Sequence, residues 1–348
     1  MASIDNNKHV FPGSNTPFGF YPYYDNILPQ ENANKIFIIK GGPGTGKSSF
    51  MKKIANYFID QGVAVEFHHC SSDPNSLDGV VIVDAAVAII DGTMPHAMDP
   101  QNPGIIDEIL NFSPYWNEKQ IRKNKTAILA TNAKRKHFFT KSYHYLSAAK
   151  KVYDAYAQTQ NEALNYHAMN DMQENILHTL FESCNSSDAC GKSRHLFGSA
   201  ITPNGFVNYL HTIIGNAKDI YLIKDAPGAS AKNIMDLILS RGIELGLYME
   251  CYHSPIDIEK IEDILIPSLG IAITVSNDYH NPKVFPTHIY DLTNCLTTST
   301  LNEIQFDLDR DKKLSNDLFD RGISTLKKAK QEHGILESYY TPYVNFDK

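Results

Sequence analysis

The sequence has no apolar run long enough to span a membrane, and MASIDNNKHV at its start lacks the hydrophobic core of a signal peptide. A cytosolic protein is therefore expected, with no membrane partner. Cysteine is sparse. The five residues Cys70, Cys184, Cys190, Cys251 and Cys295 are scattered, and no pair has zinc-finger spacing, so free thiols are expected rather than a disulfide framework or a zinc module. Arginine occurs only at positions 122, 135, 194, 241, 310 and 321, so any arginine finger this chain supplies is one of these. A formal charge of −7 argues against a general nucleic-acid coat. What is present is ordinary for a globular protein, 42% hydrophobic and 20% charged residues, and 348 residues exceed what one core usually supports. Two domains are expected.

The most specific stretch is IFIIKGGPGTGKSS, residues 36–49, which spells G-x-x-x-x-G-K-[ST] from Gly41 to Ser48. Ile36 to Ile39 form the continuous apolar run of a strand covered on both faces. Gly41, Gly42, Gly44 and Gly46 permit backbone angles and close approaches that a Cβ would obstruct. Together with Pro43 and Thr45 they form a loop whose N–H groups, with those of Ser48 and Ser49, can converge on phosphate oxygens at the positive end of the following helix. Lys47 would reach the β- and γ-phosphates, and the Ser48 hydroxyl would ligate Mg²⁺. The structural alternative is a plain glycine turn. A strand before it, a helix after it and every fixed position in place favour a nucleotide site.

Residues 36–93 can be laid over 220–277 without a gap, residue 36 falling on 220, an offset of 184. Ile36-Phe-Ile-Ile-Lys40 meets Ile220-Tyr-Leu-Ile-Lys224, and Met51, Gly62, Glu66, His69 and Asp73 meet identical residues at 235, 246, 250, 253 and 257. Upstream, Thr16-Pro-Phe-Gly-Phe20 matches Thr202-Pro-Asn-Gly-Phe206, and near each half's end Leu146-Ser-Ala-Ala-Lys-Lys151 resembles Ile323-Ser-Thr-Leu-Lys-Lys328. So long a period indicates domain duplication rather than a solenoid. Strands are expected at 36–40, 63–69 and 86–90, with a helix from about 46 to 61 and a helical or irregular stretch between the last two strands. The second half should repeat the strands near 220–224, 247–252 and 270–275. This alternation predicts an α/β fold with a parallel sheet and a ligand at the carboxyl ends of its strands. Residues 114–182, polar and aromatic with few Gly or Pro, read as a helical hairpin inserted in the first half.

The second copy serves as an internal control. Gly41 becomes Asp225, Gly46 becomes Ser230 and Lys47 becomes Ala231, while Lys232 comes one position late and so points about 100° away around a helix. The second loop is therefore expected to hold no nucleotide. Two carboxylates follow apolar runs, Asp84 and Asp91. Asp91 is the better magnesium-side residue, since a carboxylate at a strand end can accept from a Mg²⁺-bound water and its counterpart is Val275. His69, Asp73 and His96 keep counterparts in the altered copy and are read as structural. Residue 92 is glycine, so no glutamate follows Asp91 to activate water. Asp73 and Asp99 are the carboxylates left for that role. The run from Lys119 to Lys151 holds ten Lys or Arg residues, no acid, and several rings. A solvated helix face is favoured there over a nucleic-acid surface.

HVFPGSNTPFGFYPYYDNI, GGPGTGKSS, HCSSDPNSLDGVVI, IIDGTMPHAMDP and RHLFGSAITPNGF together resemble a bacterial family of tandem P-loop ATPase-like proteins, within the P-loop NTPase superfamily, over nearly the whole chain. The resemblance implies ATP binding but brings no substrate or reaction, and DAPGASAK departs from its second glycine loop. The expectation is thus a duplicated P-loop NTPase-like α/β protein: residues 1–190 an intact domain with its helical insertion, residues 191–348 a degenerate repeat. ATP is expected over GTP because no N-K-x-D stretch occurs. A Mg²⁺-dependent ATPase switch is the leading expectation, with Lys47 and Asp91 at its catalytic centre. A P-loop small-molecule kinase and a nucleotide-gated nucleic-acid or protein binding module are the alternatives.

Overall fold

A computed structural model of the chain describes residues 7–94, 98–182, 184, 187–227 and 231–347. His96 and residues 228–230 of the second loop lie outside these. The first half runs β1 (Lys8–Val10), β2 (Gly13–Thr16), β3 (Gly19–Pro22), β4 (Lys35–Lys40), α1 (Lys47–Asp60), β5 (Val65–Cys70), β6 (Asp73–Ile82), β7 (Val87–Asp91) and β8 (Asp107–Asn111). Helices α2 (Glu118–Ile121), α3 (Lys125–Asn161) and α4 (Tyr166–Phe181) follow. The second half runs β9 (Lys192–Leu196), β10 (Ser199–Thr202), β11 (Gly205–Asn208), α5 (Leu210–Ile213), β12 (Asp219–Lys224), α6 (Ala231–Glu244), β13 (Tyr248–His253), β14 (Ile261–Ile266), β15 (Ile271–Ser276), β16 (His288–Asp291) and α7 (Thr298–Ser338).

The protein is α/β, with two six-stranded sheets that carry corresponding strands in the same order, β1-β5-β6-β7-β4-β8 and β9-β13-β14-β15-β12-β16. The sheets are mixed, which corrects the expected parallel arrangement. β4 is parallel to β7 and β8, but β6 is antiparallel to both neighbours, and β14 repeats this. The cause is connection length. Only residues 71–72 and 83–86 join β5 to β6 and β6 to β7, enough for hairpins and too short for a parallel crossover. The polar start of β6, Asp73-Pro-Asn-Ser76, hides this strand from a hydrophobicity reading. β4 is buried on both faces as expected: Ile39 joins a core with Met51 and Ala55 of α1, while Ile36 and Ile38 pack with Tyr24 and Ile27 on the other side.

Each half contributes a hairpin, β2–β3 and β10–β11, to a third, four-stranded sheet joined through β2 and β10. The Thr-Pro-x-Gly repeat builds its turns. Gly19 and Gly205 sit at φ +105° and +103°, and Thr16 and Thr202 Oγ1 donate to their carbonyls. The halves meet about a pseudo-twofold axis. Phe11 and Phe197 exchange backbone hydrogen bonds, and the ion pairs Lys8–Glu250 and Arg194–Glu66 are mirror counterparts across the halves.

The helical stretch at 114–182 is present as α3 and α4, yet these two do not pair as a hairpin. The buried face of α3 packs antiparallel along α7, with Leu146, Ala149 and Tyr153 against Phe319 and Leu326, and the Ser142 hydroxyl donating to the Gly322 carbonyl at 2.7 Å. α4 joins the core of the second sheet through Met169, Ile176 and Leu180. A backbone bridge between Leu164 and Leu296 turns the chain that way. Residue 190 thus falls between the two large sheets, while the helices cross it in both directions. The charges of the basic run mostly face solvent. Phe139 and Tyr143 are packed in the α3–α7 seam, and Arg135 is turned to His333. Among the described residues no helix is long and apolar enough to cross a membrane, and all five cysteines are free.

Candidate functional site

The chain leaves the carboxyl end of β4 at Lys40, forms the glycine loop and enters α1 at Lys47. Gly44 and Gly46 take φ +66° and +87°, the left-handed region where a side chain is strained. Gly41 is closely surrounded instead: a Cβ there would stand 3.0 Å from Thr45 Oγ1 and 3.2 Å from Phe112 Cβ, so these neighbours would have to give way. Gly46 caps α1 without any side-chain acceptor, and no acidic residue lies in the first turn. The amides of the first turn and the helix dipole are therefore not neutralised by a side chain of the cap or first turn.

Lys47 lies along the loop, donating to the Gly42 carbonyl at 2.8 Å, with Nζ 3.5 Å from Asp91 Oδ2. Asp91 ends β7 beside Ile39 of β4, and its other oxygen accepts from Thr93 N at 2.9 Å and Thr93 Oγ1 at 2.6 Å. Ser48 Oγ accepts from Leu77 N of β6 at 3.0 Å, which ties the loop to the strand the sequence did not reveal. Thr45 Oγ1 donates back to Gly42 O, and Ser49 is exposed. Asp84 lies in the exposed β6–β7 turn, at the far end of β7 from this loop. Gly41 through Ser48 and Asp91 are thus brought together, and Asp84 is not.

Neither carboxylate left for water activation is free. Asp99 is exposed and bound to Lys40. Asp73 pairs with Lys330 of α7 at 2.9 Å; partial burial would raise its pKa, but Lys330 and neighbouring donors hold it below the usual carboxylate value. The missing glutamate after Asp91 has a steric cause: a Cβ on Gly92 would overlap Ile38 and crowd the Met98 carbonyl. Among the described residues no group of three or more His, Cys, Asp or Glu could hold a metal. Ser48 and Asp91 nevertheless carry hard oxygen donors of the kind Mg²⁺ takes, and would fit such an ion only with phosphate oxygens and water completing its shell.

The sequence reading missed the roof of this loop, which comes from the other half. The end of α7 and the residues after it lie over the glycines. A Cβ on Gly42 would meet Tyr340 at 3.0 Å, one on Gly44 would meet Thr341 Oγ1 at 2.7 Å, and one on Gly46 would meet Phe346 at 3.2 Å. The repeat marked residues 323–328 as a helical tail, but nothing in it says which sheet a tail covers.

The equivalent place in the second half is already filled. Asp225 is partly buried with Oδ1 enclosed, and its carboxylate faces the backbone N–H groups of Ala226 and Ala231, the latter at the position of Lys47. Burial pushes its pKa up to about 7, against the lowering pull of Lys260 and those amides, and Oδ1 has no hydrogen-bond partner. A cavity of about 20 Å³ remains, lined by Asp225, Lys260, Glu262 and Tyr153. Lys232 turns away to Asp236 at 2.6 Å. His69 and His253, read as structural, each bond a histidine of their own half (His9, His195) at 2.8 Å and lie against a tyrosine of the other half. Comparison of the chain with known protein families, curated proteins and solved structures finds no match.

Proposed function

We propose that the protein binds ATP with Mg²⁺ at the Gly41–Ser48 loop and hydrolyses it slowly as a conformational switch, in the manner of the tandem P-loop ATPase-like proteins it resembles. The observation that carries this reading is the uncapped start of α1 behind a glycine cradle, with Lys47 and Asp91 3.5 Å apart at its mouth. Phosphate oxygens would take the loop amides. Lys47 would exchange the Gly42 carbonyl for the β- and γ-phosphates, and Asp91 would turn from Lys47 to the metal side. Ser48 and Asp91 would hold Mg²⁺, which when bound screens the phosphate charge.

Slow turnover follows from the pairing of Asp73 and Asp99 with lysines, which leaves neither of these carboxylates free as a base for Asp91. The second half acts as a platform: Tyr340, Thr341 and Phe346 line the cradle, so nucleotide arriving there must shift the end of α7, whose partner along the seam is α3. Calorimetric titration with Mg²⁺–ATP and a phosphate-release assay test the proposal. One nucleotide per chain is expected, with binding and release both lost in Lys47→Ala. Undiminished binding in that variant would refute it.

A further inference from the structure

The groove between the large sheet and the helix after its glycine or glycine-like loop, α1 in the first half and α6 in the second, is equivalent in the two halves, yet α4 covers only the second. In the second half α4 lies over it. Met169, Ile176 and Leu180 share a core with Tyr221, Ile234, Ile238 and Ile273, and Ile234 and Ile238 are 0% exposed. In the first half the same positions, 184 residues earlier, are Phe37, Phe50, Ile54 and Ile89. Phe37, Phe50 and Ile54 are only half-buried, and with Phe58, Val87 and Leu110 they border an apolar cavity of about 290 Å³. Tyr57, 62% exposed and edge-on to Phe58, widens the apolar surface. Among the described residues, no helix of the first half corresponds to α4.

The approach to this groove is also built. Leu164, just before α4, bridges Leu296, and Val344, 180 residues after Leu164, bridges Trp116. Asn165 N donates to Cys295 O and Asn345 N to Tyr115 O, each at 2.8 Å. Asn165 Oδ1 caps α4 by accepting from His167 N and Ala168 N, and Asn345 Oδ1 accepts from Asp347 N at 3.1 Å. The bridge and the asparagine turn beside the helix bed are thus repeated at the first half.

We propose that this groove is a docking site for an amphipathic helix of a partner protein, laid on the first sheet as α4 is laid on the second. Its occupant would carry apolar side chains at the spacing of Met169, Ile176 and Leu180, a stripe down one face. A second copy is the weaker candidate, because its α4 is already committed to its own core. The inference is independent of the nucleotide reading.

The probe is a fluorescent peptide spanning residues 164–182, a helix of the one kind seen in an equivalent bed, titrated into the full chain. Saturable binding of one peptide per chain is expected, with hydrogen exchange slowed in α1 and β8. Ile54→Glu in the protein, or Ile176→Asp in the peptide, should weaken it by roughly tenfold or more. Should Ile54→Glu fail to fold, Tyr57→Glu at its exposed position should still weaken binding measurably. The proposal is overturned by no saturable binding, by binding indifferent to these changes, or by protection elsewhere. It is equally overturned by sedimentation showing dimers that Tyr57→Glu or Ile54→Glu dissolves, since the occupant is then a second copy.

Discussion

Gly41 and Asp225 stand at the same point of two equivalent loops, and much of the contrast between the sites follows from that difference. Where the residue is glycine, no side chain enters the cradle, Lys47 rests on the Gly42 carbonyl, and the start of α1 is uncapped. Where it is aspartate, a carboxylate stands in the loop facing the amides of Ala226 and Ala231, which pull its pKa down against burial. Burying a charge costs several kcal/mol unless it is paired, and the second half meets that penalty by letting Asp225 titrate near neutrality. One loop leaves the start of its helix without a side-chain cap, and the other carries its own carboxyl group.

The halves also differ in how they hold each other, and that difference gives the largest expected effect. Arg194 grips Glu66 through both nitrogens and also donates to the carbonyls of Asn26 and Ile27. Burial would raise the pKa of Glu66, but the guanidinium and His68 hold it well below the usual carboxylate range. Arg194→Ala should therefore cost about 3–5 kcal/mol in urea unfolding, the penalty for stranding a buried charge. Its mirror, Lys8→Ala, should cost about 1 kcal/mol or less. Lys8 is 28% exposed, and Glu250 keeps the Tyr252 hydroxyl at 2.7 Å. Equal losses would show the pseudo-twofold to be energetically symmetric.

The next effect separates the loops. Lys47→Ala should lower phosphate release by about 10²-fold or more, the scale of removing one charge-stabilising donor from a catalytic site. Ala231→Lys should create no second nucleotide site as long as the Asp225 carboxyl stands in the loop. Titration of that variant to two nucleotides per chain would break the comparison.

How much of this was legible follows from where each signal resides. The glycine loop and its damaged copy are local, and residues 41–48 sit together because neighbours in sequence must. The strand before the loop and α1 came within a residue or so of their expected ends, since an apolar run and the stop at Gly62, φ +76°, are also local. β6 was missed because its first four residues are polar and its pairing is set by short turns. The exchange of helices was not legible at all. That α3 seeks α7, that α4 crosses to the second sheet and that Tyr340 roofs the first loop depend on which apolar stripe meets which, and a repeat gives both copies the same stripe.

Asp225 offers a smaller test, with a sign of its own. A carboxyl raised to about 7 when folded binds a proton that the unfolded chain has already lost. Its contribution is therefore fully present below the unfolded value and is lost as pH rises through 7. Asp225→Asn should stabilise the chain at pH 8 by about 1–3 kcal/mol, the range for relieving an unpaired buried polar group, and by clearly less at pH 5. An equal gain at both pH values would mean the site does not titrate. Reading thermal unfolding at both pH values separates the two outcomes.

The smallest effect runs the other way with pH and belongs to both halves. His69 Nδ1 faces the Pro74 carbonyl at 2.8 Å, so it is the donor, and Nε2 must accept from His9; His253 repeats this with Ile258 and His195. Burial, with the neighbouring histidine adding to it, lowers both to about 4. Protonating Nε2 would break the histidine pair and place a cation against Tyr209 or Tyr23 of the opposite half. As pH falls, the unfolded chain takes up protons from about 6.5, before the folded one does. Stability is thus complete above 6.5 and is lost as pH falls towards 4. Between pH 6.5 and 5.5 the loss should be about 1 kcal/mol for His253 and less for the more accessible His69. The double variant His69→Gln, His253→Gln should flatten that slope in denaturant titrations. A slope that persists unchanged would assign the acid sensitivity to other groups and leave the mirrored histidines as packing alone.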